Sequence, residues 1–180
     1  MIYVYLADGF EETEAITPID LLRRAGKKVI TVGVGDNIVV GSHGIPVVVD
    51  TIVQEAPLTD ELEMIILPGG MPGTLNLEKS EYVQKSIDFC MEKNITIGAI
   101  CAAPSILGHK GLLNGKKAVC YEGFESQLEG AEIDTGAIAI DGNIVTARGA
   151  GVAVQFGLAL VEKAVSKAES ERLFRAIMCE

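Results

Sequence analysis

Short apolar runs alternate with segments of helical periodicity along most of the chain. The runs with the length and composition of buried parallel strands are residues 2–6, 28–34, 64–67 and 96–100. The segment after the first run places Ile16, Ile19 and Leu22 at helical spacing and ends on a basic turn and a glycine, which predicts a helix. Residues 80–93 and 104–109 predict two more helices. This alternation is typical of a parallel sheet covered by helices on both faces.

Further segments complete the predicted order of elements. Residues 38–40 and 46–49 flank a glycine-bounded turn and predict a hairpin inserted between the α/β units. The remaining predictions are a strand at 118–121, a second hairpin at 137–140 and 144–146, and closing helices at 152–165 and 168–178. Because no linker, repeat or low-complexity segment interrupts this order, we predict one domain spanning residues 1–180.

Composition and charge narrow the classes of function. A hydrophobic share of 48% over 180 residues allows a substantial core. The net charge of −10 opposes binding to nucleic acid or to an anionic membrane surface, both of which favour clustered Lys and Arg. The N-terminal residues lack the basic region of a signal peptide, and no apolar run approaches the roughly 20 residues of a membrane helix. We therefore expect a soluble cytoplasmic protein.

The cysteine pattern argues against metal and disulfide chemistry. The four cysteines are Cys90, Cys101, Cys120 and Cys179, and no two of them form a CxxC pair. A zinc cage or a thioredoxin-type motif is therefore not indicated, and we predict no metal and no cofactor. Without a secretory signal, reduced and inert thiols are the default expectation.

Cys101 departs from that default because of its position. A predicted strand ends at Ile100, and the next predicted helix opens at Pro104. A tight strand-to-helix turn lifts a side chain above the sheet edge and points the first amides of the helix at it. Since a helix N-terminus favours negative charge, we predict that the pKa of the Cys101 thiol lies below its usual value of roughly 8.5. The alternative is a buried cysteine that fills space.

Two other loops are expected at the same edge of the sheet. Gly69 and Gly70 end the third strand and could direct backbone amides at an oxyanion, although an ordinary turn is the alternative. Glu14 lies in the first turns of the first helix, where an acid usually complements the helix dipole. Burial beside a thiolate would instead keep its carboxyl protonated as a hydrogen-bond donor to Cys101. The residues alone leave both alternatives open.

The remaining candidates carry little specificity by themselves. The only histidines, His43 and His109, fall in a predicted hairpin turn and near the end of a short helix, so no Cys–His dyad is visible. The segment Arg148–Gly151 opens the long closing helix and fits either a weak anion site or close packing on the sheet. Tyr121 fits either the mouth of the site or the core.

Several motifs in a fixed order together resemble the ThiJ/PfpI superfamily. They are Glu11-Glu12-Thr13-Glu14 with Pro18-Ile19-Asp20, Arg23-Arg24-Ala25-Gly26, Leu67-Pro68-Gly69-Gly70, Ala99-Ile100-Cys101-Ala102-Ala103-Pro104 and Thr146-Ala147-Arg148-Gly149. The resemblance runs from residue 1 to about residue 165. It points to the branch that contains the human parkinsonism-associated protein and its bacterial relatives.

The resemblance implies a fold, an assembly and a site. The fold is a flavodoxin-like three-layer sandwich with a mostly parallel central sheet, similar to class I glutamine amidotransferases, and the assembly is a homodimer. The implied centre has Cys101 at a nucleophile elbow and Glu14 hydrogen-bonded to it. The backbone amides implied nearby are those of Gly69, Gly70 and Ala102. The residues implied as further pocket positions are Tyr121, Arg24, His43 and Gly149.

Some positions depart from the family pattern. The protease-like branch has a histidine directly after the cysteine, where this chain has Ala102, so a peptidase function is disfavoured. Tyr121 stands where the human relative has a histidine near the site. His43 replaces an arginine that is sometimes found in the hairpin. We expect substrate binding to differ accordingly.

Two hypotheses of different classes follow from the resemblance. The first is a cofactor-independent enzyme of glyoxalase III or deglycase type, in which Cys101 attacks methylglyoxal or a related small carbonyl. The second is a non-enzymatic redox sensor or chaperone that responds through oxidation of Cys101. Hydrolase activity, which needs a histidine base, and a role in thiazole monophosphate biosynthesis are less favoured.

Overall fold

The computed structural model describes residues 1–179 as an α/β structure. Its strands are β1 Ile2–Leu6, β2 Val29–Gly33, β3 Ile38–Val40, β4 Pro46–Val48, β5 Thr51–Ile52, β6 Met64–Leu67, β7 Thr96–Ile100, β8 Lys117–Ala118, β9 Glu132–Ile133, β10 Ile138–Asp141 and β11 Ile144–Ala147. Its α-helices are α1 Glu12–Arg24, α2 Gly73–Lys79, α3 Glu81–Lys93, α4 Pro104–His109, α5 Ala153–Ala164 and α6 Lys167–Ala176.

Seven of these strands form the central sheet, in the order β10-β11-β7-β6-β1-β2-β5. All neighbouring pairs are parallel except β10 and β11, which form an antiparallel hairpin. The chain proceeds from β1 outward to β2, and from β6 in the opposite direction to β7. The topological switch point therefore lies between β1 and β6, where α/β sheets bind ligands at the carboxyl ends of the strands. The predicted flavodoxin-like fold class is confirmed.

Alternate side chains of the central strands pack into two separate hydrophobic layers, one on each face of the sheet. In β1, Ile2, Val4 and Leu6 pack on the face covered by α1 and α5, whereas Tyr3 and Tyr5 pack on the face covered by α3 and α4. Every residue of β1 is buried, because both faces of the sheet are covered by helices. This double burial explains why the sequence shows continuous apolar runs and no alternation of polar and apolar residues.

Helix α1 is anchored against α5 by close packing. Pro18 lies inside α1 and is buried, and its missing N–H leaves the Glu14 carbonyl without its helical donor. A β-carbon on Gly157 of α5 would lie 2.6 Å from Leu21 Cδ1 and 3.2 Å from Pro18 Cα. A glycine at this position therefore lets the two helices approach closely, and this contact fixes the helix that carries Glu14.

The structure corrects several parts of the predicted element order, which also lacks the two-residue strands β5 and β9. The sequence predicts a strand at residues 118–121, but β8 covers only Lys117–Ala118 and pairs with β9 in a separate two-stranded sheet. Beyond Ala118 the chain bridges other elements, since the Val119 amide donates to Thr146 Oγ1 (3.0 Å). Helix α2 is not predicted from the sequence, because its seven residues include two central leucines but no cap and no long periodic stripe.

Among residues 1–179, no helix is both long enough and apolar enough to cross a bilayer.

Candidate active site

Cys101 stands on a sharp turn between β7 and α4. Its φ of 65° lies in the left-handed region, which is unfavourable for a residue with a β-carbon by about 1–3 kcal/mol. Backbone hydrogen bonds hold this conformation: the Cys101 amide donates to the Ala147 carbonyl (2.9 Å), and the Cys101 carbonyl accepts from the Tyr121 amide (2.8 Å). The turn thus presents the thiol above the edge of the sheet, as the sequence predicts for a nucleophile elbow.

Glu14 reaches the same place from the first turn of α1. The residue is 1% exposed, and its Oε2 accepts a hydrogen bond from the Gly69 amide (2.9 Å). Its Oε1 is buried and has no well-aligned donor among residues 1–179. A β-carbon built on Gly149 would lie 3.8 Å from this oxygen and 3.9 Å from Cys101 Sγ. Glu14 Oε1 and the Cys101 thiol therefore both border the space next to the Gly149 α-carbon.

Burial raises the pKa values of both Glu14 and Cys101. Burial raises the pKa of Glu14 from its ordinary 4.5 to about 7, against the opposing effect of the Cys101 thiol and the Gly69 amide. Burial also raises the pKa of Cys101 to about 12, assisted by the charge and the hydrogen bond of the Glu14 carboxylate. The amides of Ala102 and Gly70 oppose this rise without reversing it.

The prediction of a lowered Cys101 pKa is therefore wrong for the thiol facing an ionised Glu14. The amides at the helix N-terminus favour the thiolate, but burial and a neighbouring carboxylate outweigh them. With these pKa values the pair holds two protons below about pH 7 and a single proton, which its two members share, above it. A thiolate forms above this pH when the proton resides on Glu14, which then serves as the hydrogen-bond donor.

The glycines of the Gly69–Gly70 turn have distinct roles. Gly70 has φ of +88°, and a β-carbon there would lie 2.4 Å from the Glu11 nitrogen, so only glycine fits. The amides of Gly70 and Ala102 act on the thiol and lower the pKa of Cys101, against the larger effect of burial. The Gly69 amide was expected to face an oxyanion, but it donates to the Glu14 carboxylate instead.

Tyr121 and Gly149 lie next to each other near Cys101. A β-carbon on Gly149 would lie 3.4 Å from Tyr121 Cδ2, and both residues line a cavity of about 370 Å³. Tyr121 is 53% exposed, so it forms part of the mouth and not of the core. A second cavity of about 320 Å³, which Cys120 lines, shares Glu122 and Arg148 with the first.

The structure places two of the expected pocket residues elsewhere. Arg24 lies ten residues beyond Glu14 at the far end of α1, about 15 Å along the helix axis, and forms an exposed ion pair with Asp20 (2.6 Å). His43 lies against the first turn of α1, where its Nδ1 contacts Glu12 Oε2 (2.9 Å). Neither side chain is brought to Cys101, because the sequence motif fixes their order along the chain but not their direction.

The contact between His43 and Glu12 had no visible signal in the sequence. Glu12 is 7% exposed, and its Oε1 also accepts from the His43 amide (2.8 Å). Although burial opposes ionisation, these hydrogen bonds lower the pKa of Glu12 to about 2. Ligand-type atoms of Glu11, Glu12 and His43 lie within 4.8 Å of one another, but they are engaged with each other and with Ser42. The cluster ties the β3–β4 hairpin to α1.

The other cysteines occupy different environments. Cys90 and Cys120 are buried, and burial raises the pKa of their thiols to about 12 and about 11. Cys101 and Cys179 are partly exposed, and all four thiols are free. Among these four, Cys101 alone combines access with a buried carboxyl neighbour in the described part of the chain. The sequence gives no sign of the hydrogen bond from the Cys101 amide to the Ala147 carbonyl, because the pairing of β7 with β11 joins segments far apart in the chain.

Comparisons of sequence and of structure with known proteins point to the same family. A sequence model of the DJ-1/PfpI family matches residues 1–163. Protein DJ-1 homolog B of Arabidopsis thaliana is 35% identical over 98% of this chain, which spans only 41% of that longer protein. The crystal structure of Drosophila melanogaster DJ-1beta has a TM-score of 0.93 and 31% identity, and covers 99% of this chain and 97% of its own. The structure of oxidized Toxoplasma gondii DJ-1 has a TM-score of 0.91 and 32% identity, with 98% and 97% covered.

Two relatives carry an activity in their names. A protein named a deglycase, from Pyrococcus abyssi, is 30% identical over 82% of this chain and 89% of its own length. The glutathione-independent glyoxalase DJ-1 of Schizosaccharomyces pombe is 28% identical over 97% of this chain and 96% of its own.

Proposed function

Because this chain belongs to the DJ-1/PfpI family, we propose that it is a cysteine-dependent, cofactor-independent enzyme acting on small reactive carbonyls such as methylglyoxal or on their adducts. The observation that carries the proposal is the buried pair of Cys101 and Glu14, with the Gly70 and Ala102 amides on the thiol. The names of the deglycase and glyoxalase relatives support the same class of substrate.

The first step is the addition of Cys101 to an aldehyde. Sγ attacks the carbonyl carbon, the S–C bond forms, and the electrons of the C=O π bond move to oxygen. The amides that contact the thiol stabilise the developing oxyanion. The proton shared by the pair then ends on that oxygen, which gives a neutral hemithioacetal.

Glu14 is the carboxyl placed to move protons in the later steps. After it has given up its proton, its carboxylate removes the hydrogen of the former aldehyde carbon, and the released electrons form a C=C bond to the adjacent carbon, which gives an enediolate. Glu14 then returns this proton to the adjacent carbon. The hydroxyl proton passes to the oxygen on that carbon, while C=O forms at the carbon bonded to sulfur. The hemithioacetal thereby isomerises to a thioester. Water hydrolyses the thioester, which releases a 2-hydroxy acid and the thiol. The net reaction adds one water to the dicarbonyl and needs no electron carrier.

Turnover of methylglyoxal by matched variants tests this proposal. Lactate is measured by NMR for the wild type, Cys101→Ser, Glu14→Gln and the control Cys179→Ser, whose cysteine lines neither cavity. Cys101→Ser is expected to abolish turnover and Glu14→Gln to lower it by about 10²-fold or more, the usual contribution of general acid–base catalysis. Full turnover by Cys101→Ser would show that the assigned chemistry is wrong.

A second candidate is oxidant sensing through Cys101. It is favoured by the access of this thiol beside a carboxyl that can donate to an oxidised sulfur, whereas Cys90 and Cys120 are buried. After mild peroxide treatment, mass spectrometry should locate two added oxygens on Cys101 in preference to the other cysteines. Equal oxidation of Cys179, which is also partly exposed, would count against a dedicated sensor.

We also propose that the protein acts as a homodimer in the cytoplasm. The β3–β4 hairpin and α1 expose several apolar side chains on one side, among them Ile16, Ile38 and Val48. Ile16 and Val48 line a common depression. Light scattering of the wild type and Val48→Asp tests this face, and a wild-type monomer would refute the assembly.

A further inference from the structure

Arg148 lines two cavities, of which the one that it shares with Gly149 lies near Cys101. It follows β11 directly and precedes Gly149, the residue at which an added β-carbon would lie 3.9 Å from Cys101 Sγ. It lines both the 370 Å³ cavity with Tyr121 and the 320 Å³ cavity with Cys120. Within residues 1–179, it is the only basic side chain that lines either cavity.

In the described part of the chain, no carboxylate pairs with the guanidinium of Arg148. Among residues 1–179 its side chain forms no ion pair within 4.0 Å and no hydrogen bond. Three carboxylates line the same cavities, but two of them are held by their own turns. Glu125 Oε2 accepts from the Gly123 amide (2.8 Å), and Asp134 Oδ1 accepts from the Gly136 amide (2.8 Å). The third, Glu122, is exposed.

This arrangement is unusual for a protein with a net charge of −10, which as a whole repels anions. An unpaired arginine is suited to a carboxylate or a phosphate, because its planar fork can donate two parallel hydrogen bonds. Because Gly149 lines the 370 Å³ cavity with Arg148 and also approaches the thiol, an anionic group on a carbon bonded to Cys101 would extend toward that cavity.

We infer that Arg148 determines substrate specificity by selecting carbonyl compounds that carry an anionic group close to the reacting aldehyde. The inference rests on the proposed function for its substrate class. Adduct formation itself is the hemithioacetal step above: the S–C bond forms, the proton ends on the carbonyl oxygen, and nothing is oxidised or reduced. Arg148 takes no part in these bonds and acts by holding the anionic group.

A pair of alkylating agents tests the charge preference without any turnover. Iodoacetate and iodoacetamide both form an S–C bond with Cys101 and release iodide, and they differ mainly in charge. The rates of Cys101 modification are measured by mass spectrometry for the wild type, Arg148→Gln, Arg148→Lys and Arg175→Gln. The ratio of the iodoacetate rate to the iodoacetamide rate cancels any change in the reactivity of the thiol. Arg175, an exposed arginine on α6, controls for the loss of one positive charge.

We expect the ratio to fall about fivefold in Arg148→Gln, the size of a screened charge interaction over several ångströms. Arg148→Lys should keep most of the wild-type ratio, and Arg175→Gln should keep all of it. An unchanged ratio in Arg148→Gln, or an equal fall in Arg175→Gln, overturns the inference.

Protection experiments identify the anion and separate this inference from the proposed function. Reversible aldehydes are tested for slowing iodoacetamide in the wild type and in Arg148→Gln. The matched pairs are glyoxylate with glyoxal for a carboxylate, and glycolaldehyde phosphate with glycolaldehyde for a phosphate. The inference predicts that Arg148→Gln weakens protection by at least one anionic aldehyde but not by its neutral partner. Equal weakening within both pairs refutes it. If Arg148→Gln loses the charge preference but the wild type does not turn over methylglyoxal, only the proposed function is refuted.

Discussion

Replacing Glu14 by glutamine removes a buried ionisable group whose proton affinity the fold has changed. Burial raises the pKa of this carboxyl from 4.5 to about 7, so between these values the folded protein binds more protons than the unfolded chain. The contribution of Glu14 to stability is therefore fully present below about pH 4.5 and is lost as the pH rises through about 7. Glutamine keeps the size of the side chain and cannot ionise.

The size of the effect follows from the shift. A change from 4.5 to about 7 corresponds to about 3 kcal/mol, at 1.36 kcal/mol for each pKa unit. The free energy of unfolding of the wild type should thus decline relative to Glu14→Gln by about 2–3 kcal/mol between pH 5 and pH 8. Taking the difference between the two proteins removes the contribution of every other titrating group.

Urea unfolding at several pH values measures this difference. Glu81→Gln is a suitable control, because the Glu81 side chain is 86% exposed and its removal should leave the curve nearly parallel to that of the wild type. Cys101→Ala should preserve the pH dependence, since the burial that raises the Glu14 pKa remains. Parallel curves for the wild type and Glu14→Gln would refute the assignment of a buried, proton-binding carboxyl.

Two packing predictions concern glycines near the site. Gly69→Ala should lower both stability, by about 1–3 kcal/mol, and activity, because the new β-carbon would lie 2.6 Å from Cys101 Cβ; urea unfolding and lactate formation measure the two losses. Gly157→Ala should lower stability by a similar amount through its contact with Leu21, whereas Gly151→Ala, which meets nothing within 4 Å, should be nearly neutral. Equal effects of the last two substitutions in thermal or urea unfolding would contradict the account of the α1–α5 packing.

The elements that could be predicted from the sequence are those with a strong local signal. The apolar runs of β1, β6 and β7 are buried on both faces, so their composition alone indicates parallel strands. The strand at 118–121 was predicted from the same kind of signal. It failed because Val119 satisfies its amide with the Thr146 hydroxyl, a tertiary contact that no local pattern reveals.

The site shows the same division between local and tertiary information. The position of Cys101 at an elbow is a property of consecutive residues and was predicted correctly. The direction of its pKa shift depends on Glu14, which approaches from a helix 87 positions earlier in the printed sequence. The Gly69 amide illustrates the point, because a turn glycine that faces the site is used by the carboxyl and not by an oxyanion.

The central claim is that Cys101 and Glu14 share one proton and act as a unit. The pH dependence of Cys101 alkylation by iodoacetamide, in the wild type and in Glu14→Gln, tests it most directly. The account predicts a wild-type rate that rises to a plateau above about pH 7, where Glu14 would titrate, with a second rise only toward pH 12. Glu14→Gln should show a single ionisation without the break near pH 7. Coincident profiles in the two proteins would contradict the shared proton and the chemistry built on it.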